Sequence, residues 1–196
     1  KPNLFISFAS PYAGQAAYLL KTPHFSFTDT EHARLGILAF LPFCDIVITP
    51  SAYKDNLGKK QMYFDGYMEQ CYLTKKYFNP NINSLKELKI NKSQKYIIIR
   101  LVSWDASHDI GQYGITIDSL LKLIHKLKNY ASIFISSEGT VPKELREYSL
   151  SIDPTKIHDV LYYASLFIGE GATMASECAI IGTPTIYVNT LSTGYL

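Results

Sequence analysis

Short apolar runs of strand length alternate with segments of helical period along the whole chain, and this alternation restricts the fold more than any other feature. Residues 4–8, 24–27, 46–49, 62–64, 96–102, 133–136, 166–168 and 185–188 read as strands. The clearest helices are 11–20, 118–128, 155–164 and 173–181, where apolar residues recur at spacings of three and four. Pro11 suits a first helical turn. The expected class is α/β, with parallel sheets covered by helices. The polar, Asn-rich text from Asn79 to Gln94 interrupts the pattern and reads as a boundary. The expected domains are therefore 1–80 and 95–196, joined by a linker at 81–94. Two such halves would face a cleft lined by the carboxyl ends of their strands, where open α/β sheets bind ligands.

Composition narrows the function. Of 196 residues, 47% are hydrophobic and 18% charged, the balance of a packed globular chain. Nineteen basic residues against seventeen acidic ones leave a formal charge of +2, and no five like charges run together, so nucleic acid is not an expected partner. Cys44, Cys71 and Cys178 are far apart among apolar neighbours, as free thiols of a reducing compartment are, and the cytoplasm is the expected location. The apolar stretch 35–48 is cut by Pro42 and Asp45 and is too short to cross a bilayer; no transmembrane segment is expected, while a peripheral membrane contact stays open. The chain opens at Lys1 and stops at Leu196 just after a strand, so it reads as a fragment with an incomplete first domain and a truncated second one.

The most informative segment is Leu166-Phe167-Ile168-Gly169-Glu170-Gly171-Ala172-Thr173-Met174-Ala175-Ser176-Glu177, which reads as strand, tight Gly turn and helix. This layout points free backbone N–H groups and a positive dipole end at an anion. Gly169, Gly171, Ala172 and Thr173 would meet a phosphate. Glu177, four residues beyond Thr173 on the same helix face, would accept ribose hydroxyls. A Gly turn is also what any strand-to-helix connection needs, and Glu170 would repel a diphosphate unless it points away. Gly182-Thr183-Pro184 ends the helix.

The run 169–184, with Glu177 five residues before Gly182, resembles the nucleotide-binding motif of GT-B glycosyltransferases and of the hydrolysing and non-hydrolysing UDP-N-acetylglucosamine 2-epimerases. The resemblance implies that Glu177 binds the ribose of UDP. Pro2-Asn3-Leu4-Phe5-Ile6, Thr22 to Glu31, Cys44 to Ser51 and Asp65-Gly66-Tyr67 are similar to further segments of those families in the same order. Closer still, Ser7 to Tyr12, Phe27 to Ala33 and Ser103 to Asp109 resemble an uncharacterised family of GT-B-like proteins known as a domain of unknown function. The implied fold is two Rossmann-like parallel-sheet domains facing a cleft, the GT-B type. Two departures bear on the reaction. Ala9-Ser10-Pro11 stands where the epimerases carry a catalytic Asp, and Ser103 to Asp109 replaces their HRREN motif.

Other polar clusters are candidates for chemistry. Asp29-Thr30-Glu31-His32 follows the strand 24–27, and Asp29, Glu31 or His32 would serve as acid or base; the competing reading is a capping box of Thr28 and Glu31. Ser103-Trp104-Asp105-Ala106-Ser107-His108-Asp109 follows the strand 96–102, and His108 would be an acid, a base or a phosphate contact. The spacing of Asp105, His108 and Asp109 is no recognised ligand set, so no metal is expected. Arg100 interrupts an apolar strand and needs a carboxylate or phosphate partner, and Ser137 closes the next strand as a contact for uracil or phosphate.

The expected function is a nucleotide-sugar-binding enzyme, UDP-linked and glycosyltransferase-like, that uses the nucleotide-sugar as substrate and needs no separate cofactor. A 2-epimerase-like enzyme, a non-catalytic nucleotide-sugar-binding subunit and an unrelated flavodoxin-like binding module are the alternatives. A carbohydrate or lipid-linked acceptor and a homo-oligomer stay open as partners.

Overall fold

A computed structural model describes residues 1–91, 93–102 and 114–190. It contains two four-stranded parallel sheets, one in each of two compact units, Lys1–Met68 and a second that begins at Glu69.

In the first unit, β1 (Phe5–Phe8), β2 (His24–Phe27), β3 (Ile46–Pro50) and β4 (Gln61–Phe64) lie side by side in chain order. Helix α1 (Pro11–Leu20) starts where the Ser10 hydroxyl accepts from the Ala13 N–H at 3.3 Å, with Pro11 in its first turn. Gly14 lets this helix close on the 3-10 turn Leu41–Phe43 and on His24 of β2, since a Cβ there would stand 3.0 Å from the Phe43 Cβ and 3.4 Å from His24 Cε1. Helix α2 (Arg34–Phe40) buries Ile37 and Phe40 against Cys44 and Val47. The covered face of the sheet is partly polar: His24, Ser26 and Thr49 are fully buried. Each finds partners. His24 Nε2 meets Ser7 Oγ at 2.8 Å, its Nδ1 meets the Phe43 carbonyl at 3.3 Å, and its backbone N–H donates to Asp45 Oδ2 at 2.8 Å. By strand alternation, the opposite face carries Ile6, Phe8, Phe25, Phe27, Ile48 and Met62, of which Ile6 is 65% exposed, Phe8 53% and Met62 55%.

The second unit holds helix α3 (Gln70–Leu73), β5 (Tyr96–Leu101), α4 (Ile117–Leu127), β6 (Ser132–Ser137), α5 (Ile157–Tyr163), β7 (Leu166–Gly169), α6 (Ala172–Ile181) and β8 (Thr185–Tyr187). The strand order is β6-β5-β7-β8. Helices cover both faces, which is why β5 is apolar on both. Ile97 and Ile99 pack with Leu120 and Ile124 of α4, while Tyr96 and Ile98 pack with Val160 and Leu161 of α5 and Ala175 and Cys178 of α6. The 81–94 segment, expected as a linker, lies within this unit. Ile82–Leu88 forms a 3-10 helix whose Leu85 and Leu88 enter the core beside α5, and Asp159 accepts from Asn81 N–H and Ser84 Oγ at 2.9 and 2.6 Å. The chain after β5 crosses to β6 on one side, and the chain after β7 crosses to β8 on the other. The connections therefore diverge between β5 and β7, and their carboxyl ends flank a topological switch point.

Candidate nucleotide-binding site

Gly169 ends β7 opposite Arg100 of β5. Its lack of a side chain is a packing requirement, because a Cβ would stand 2.4 Å from Phe167 Cζ and 3.2 Å from Arg100 Cβ. Gly171 differs. It is the N-cap of α6, with φ −87° and no side-chain cap, and nothing lies within 4 Å of where its Cβ would be. The N–H groups of Ala172 and Thr173 open the helix without a capping side chain, as an anion site requires. At the other end Gly182 adopts φ 88° and its N–H reaches the Ala179 and Cys178 carbonyls, so its freedom serves the helix stop.

Glu170 points away from this helix entrance. It is buried, its Oε2 accepts from the Val102 N–H at 3.0 Å, and its Oε1 accepts from the Ile115 N–H. It thus ties together the residues on either side of 103–113, and the expected repulsion of a phosphate is relieved by these two donors. His108 lies outside the described residues.

Glu177 sits in the second turn of α6 with its side chain 10% exposed. Tyr72 of α3 donates its hydroxyl to Glu177 Oε1 at 2.9 Å, and His158 of α5 places Nε2 2.9 Å from the same oxygen. Burial, then the bond to Glu177, raises the Tyr72 hydroxyl well above the ordinary tyrosine range, so it stays a donor. Neither Tyr72 nor His158 was expected from the sequence. They reach Glu177 from 105 and 19 residues away, and only tertiary packing joins them.

Arg100 has the carboxylate partner its burial demands. It pairs with Glu138 Oε1 at 3.1 Å and donates to Ser136 Oγ at 2.6 Å. Arg100, Ser136 and Ser137 also line a cavity of about 350 Å³ whose apolar wall is Leu150, Ile152, Pro154, Ile157 and Met174. Met174 belongs to the first turn of α6, so the cavity adjoins the uncapped helix end. A mostly apolar pocket with a few polar groups is the usual lining of a small-molecule site.

In the first unit, Asp29, Glu31 and His32 follow the carboxyl end of β2. They cap no helix, since α2 begins at Arg34 with Ala33 as its uncapped N-cap; Thr28 is buried and its N–H donates to the Ile48 carbonyl at 3.1 Å. The capping-box reading therefore fails. Glu31 instead accepts from the Lys54 N–H after β3. Asp29 accepts from Thr30 Oγ1 at 2.9 Å, and burial raises its carboxyl above the usual range while Thr30 and His32 work against that shift. Beside them lies Tyr53, whose buried hydroxyl has no partner among the described residues and is pushed up to about 12 by burial and by Asp55, Glu31 and Asp29. The Ser10 hydroxyl caps α1, and Ala9 before it is held at φ 46°.

Comparison with known proteins decides the family. Residues 1–192 match the family described as "Protein of unknown function (DUF354)". The chain belongs to that family. An uncharacterized protein of Methanocaldococcus jannaschii, MJ0665, is 29% identical over 199 residues, which span 95% of this chain and 57% of the relative. In structure the chain is similar to a protein from Listeria monocytogenes assigned as a UDP-N-acetylglucosamine 2-epimerase, with a TM-score of 0.62 and 12% identity over 98% of this chain and 58% of that one. The chain thus spans a little over half of either protein. At this identity the likeness establishes the fold: an α/β chain with two parallel sheets, like those of GT-B proteins. No helix among the described residues is long and apolar enough to cross a membrane, and no three His, Cys, Asp or Glu among them are placed to hold a metal ion.

Proposed function

We propose that this chain carries the nucleotide-binding half of a glycosyltransferase-like enzyme that uses a UDP-sugar. The observation that carries the proposal is the convergence, at the switch point between β5 and β7, of an uncapped α6 N-terminus, an unobstructed Gly171 and a buried carboxylate, Glu177. The diphosphate would lie on the N–H groups at Gly171, Ala172 and Thr173, the ribose on Glu177, and the base in the cavity beside Met174 with Ser137 at its edge. Arg100 already holds Glu138 and would contribute positive potential more than a direct contact. The name of the Listeria protein supports UDP-sugar over other nucleotides.

In the first unit, Asp29, with His32 beside it, is the acid–base candidate, because burial raises its carboxyl. A carboxyl raised by burial is suited to general acid–base chemistry. Transfer is favoured over 2-epimerisation because Ser10 serves the start of α1. The first unit's role, like the identity of the acceptor, is part of the proposal.

A thermal-shift screen against UDP, GDP, CMP and their sugar conjugates tests the reading. UDP and UDP-sugars are expected to stabilise the protein, by about 2.7 kcal/mol at a hundredfold excess over Kd. A response confined to GDP or CMP ligands, or none, contradicts it.

A further inference from the structure

We infer that Tyr72 and His158 are positioning residues for Glu177: they hold one carboxylate oxygen so that the other is presented to a ribose hydroxyl, which lets the site separate ribonucleotides from deoxyribonucleotides. The inference rests on the nucleotide reading above. A buried carboxylate must find donors, and here two donors from separate helices, α3 and α5, meet on Oε1 at 2.9 Å each. A single hydrogen bond would leave the carboxylate free to swing about it. Two donors on one oxygen fix its place and leave Oε2 as the acceptor for a ligand.

The donors are themselves held. The His158 ring packs against both Tyr72 and Phe78, with centroids 5.9 and 6.2 Å away, and these contacts restrain its Nε2 direction. Phe78 in turn meets Tyr162 edge-on. A purely architectural role explains the arrangement less well. The immediate neighbours Ala175 and Cys178 are buried in an apolar core, and an apolar side chain of similar volume is often as stabilising as a buried ion pair. The trio is also open to solvent at its edge, with Tyr72 42% exposed and the His158 side chain 28%.

The test is calorimetry of UDP, 2′-deoxy-UDP and 3′-deoxy-UDP on the whole chain and on Tyr72→Phe, His158→Leu and His158→Gln. Wild type should prefer UDP over at least one deoxy analogue by about tenfold, and Tyr72→Phe or His158→Leu should bring that ratio to within about twofold by weakening UDP alone. His158→Gln, whose amide can still donate, should retain most of the preference. Because each ratio compares two ligands on one variant, a general loss of stability cancels. A preference that persists in Tyr72→Phe and His158→Leu overturns the positioning role while leaving UDP binding intact. Equal binding of all three ligands by wild type overturns it as well. Wild type that binds none of them overturns the nucleotide reading and this inference together.

Discussion

The two units are built from the same parts but differ in strand order and in where they place polarity. In the first, the strands follow chain order, the packed face holds His24, Ser26 and Thr49, and the other face shows Ile6, Phe8 and Met62 to solvent. In the second, the order β6-β5-β7-β8 changes direction between β5 and β7, and these two central strands are apolar and covered on both faces. Reversal is what opens a crevice between neighbouring strand ends, and Glu170 and Glu177 are buried in this unit. The proposal that the second unit holds the nucleotide rests on this contrast.

The contrast breaks most visibly in the cores. Ile98→Ala should cost about 2–5 kcal/mol, because Ile98 is fully buried under α5 and α6, whereas Ile6→Ala should stay within about 0.5 kcal/mol. Urea unfolding of both variants checks this, and equal losses would mean that the open face of the first sheet is covered in solution. The two glycines of the α6 entrance offer a finer test. Gly169→Ala should destabilise by about 1–3 kcal/mol through its clash with Phe167, while Gly171→Ala should leave stability nearly unchanged and weaken UDP. A Gly171→Ala variant with full UDP affinity would remove the phosphate from this position.

The smallest expected effect lies in the first unit. Burial raises the Asp29 carboxyl above its ordinary 3.8, with Thr30 and His32 opposing. The fold then holds more protons than the unfolded chain between 3.8 and the raised value. Stability from this group is therefore fully present below that window and is lost as pH rises through it. Asp29→Asn should flatten this part of the pH–stability curve, and an unchanged curve in denaturant titrations would show that the carboxyl is not held in this way.

Much of the fold was legible because buried parallel strands are continuous apolar runs. Tyr96 to Leu101 and Leu166 to Ile168 carry the signal of strands covered on both faces, and the Gly182-Thr183-Pro184 stop marked the end of α6. The boundary was harder to read. Asn79 to Gln94 is polar enough to suggest a linker, yet Leu85 and Leu88, three apart, are enough to anchor it in the second core. The candidate site was legible in its backbone and not in its side-chain partners. Gly169 and Glu177 stand in one continuous motif, but the donors to Glu177 come from α3, only four residues long, and from a His inside an otherwise ordinary α5. Glu170 looked like an obstacle to phosphate, because no local pattern shows that Val102 and Ile115 will meet it.

The most direct test of the central claim is isothermal calorimetry of UDP on wild type and Glu177→Gln. If Glu177 accepts a ribose hydroxyl, exchanging a charge-assisted bond for a neutral one should weaken UDP by about 1–3 kcal/mol, with 3′-deoxy- or 2′-deoxy-UDP losing much less. Unchanged UDP affinity in Glu177→Gln would contradict the account.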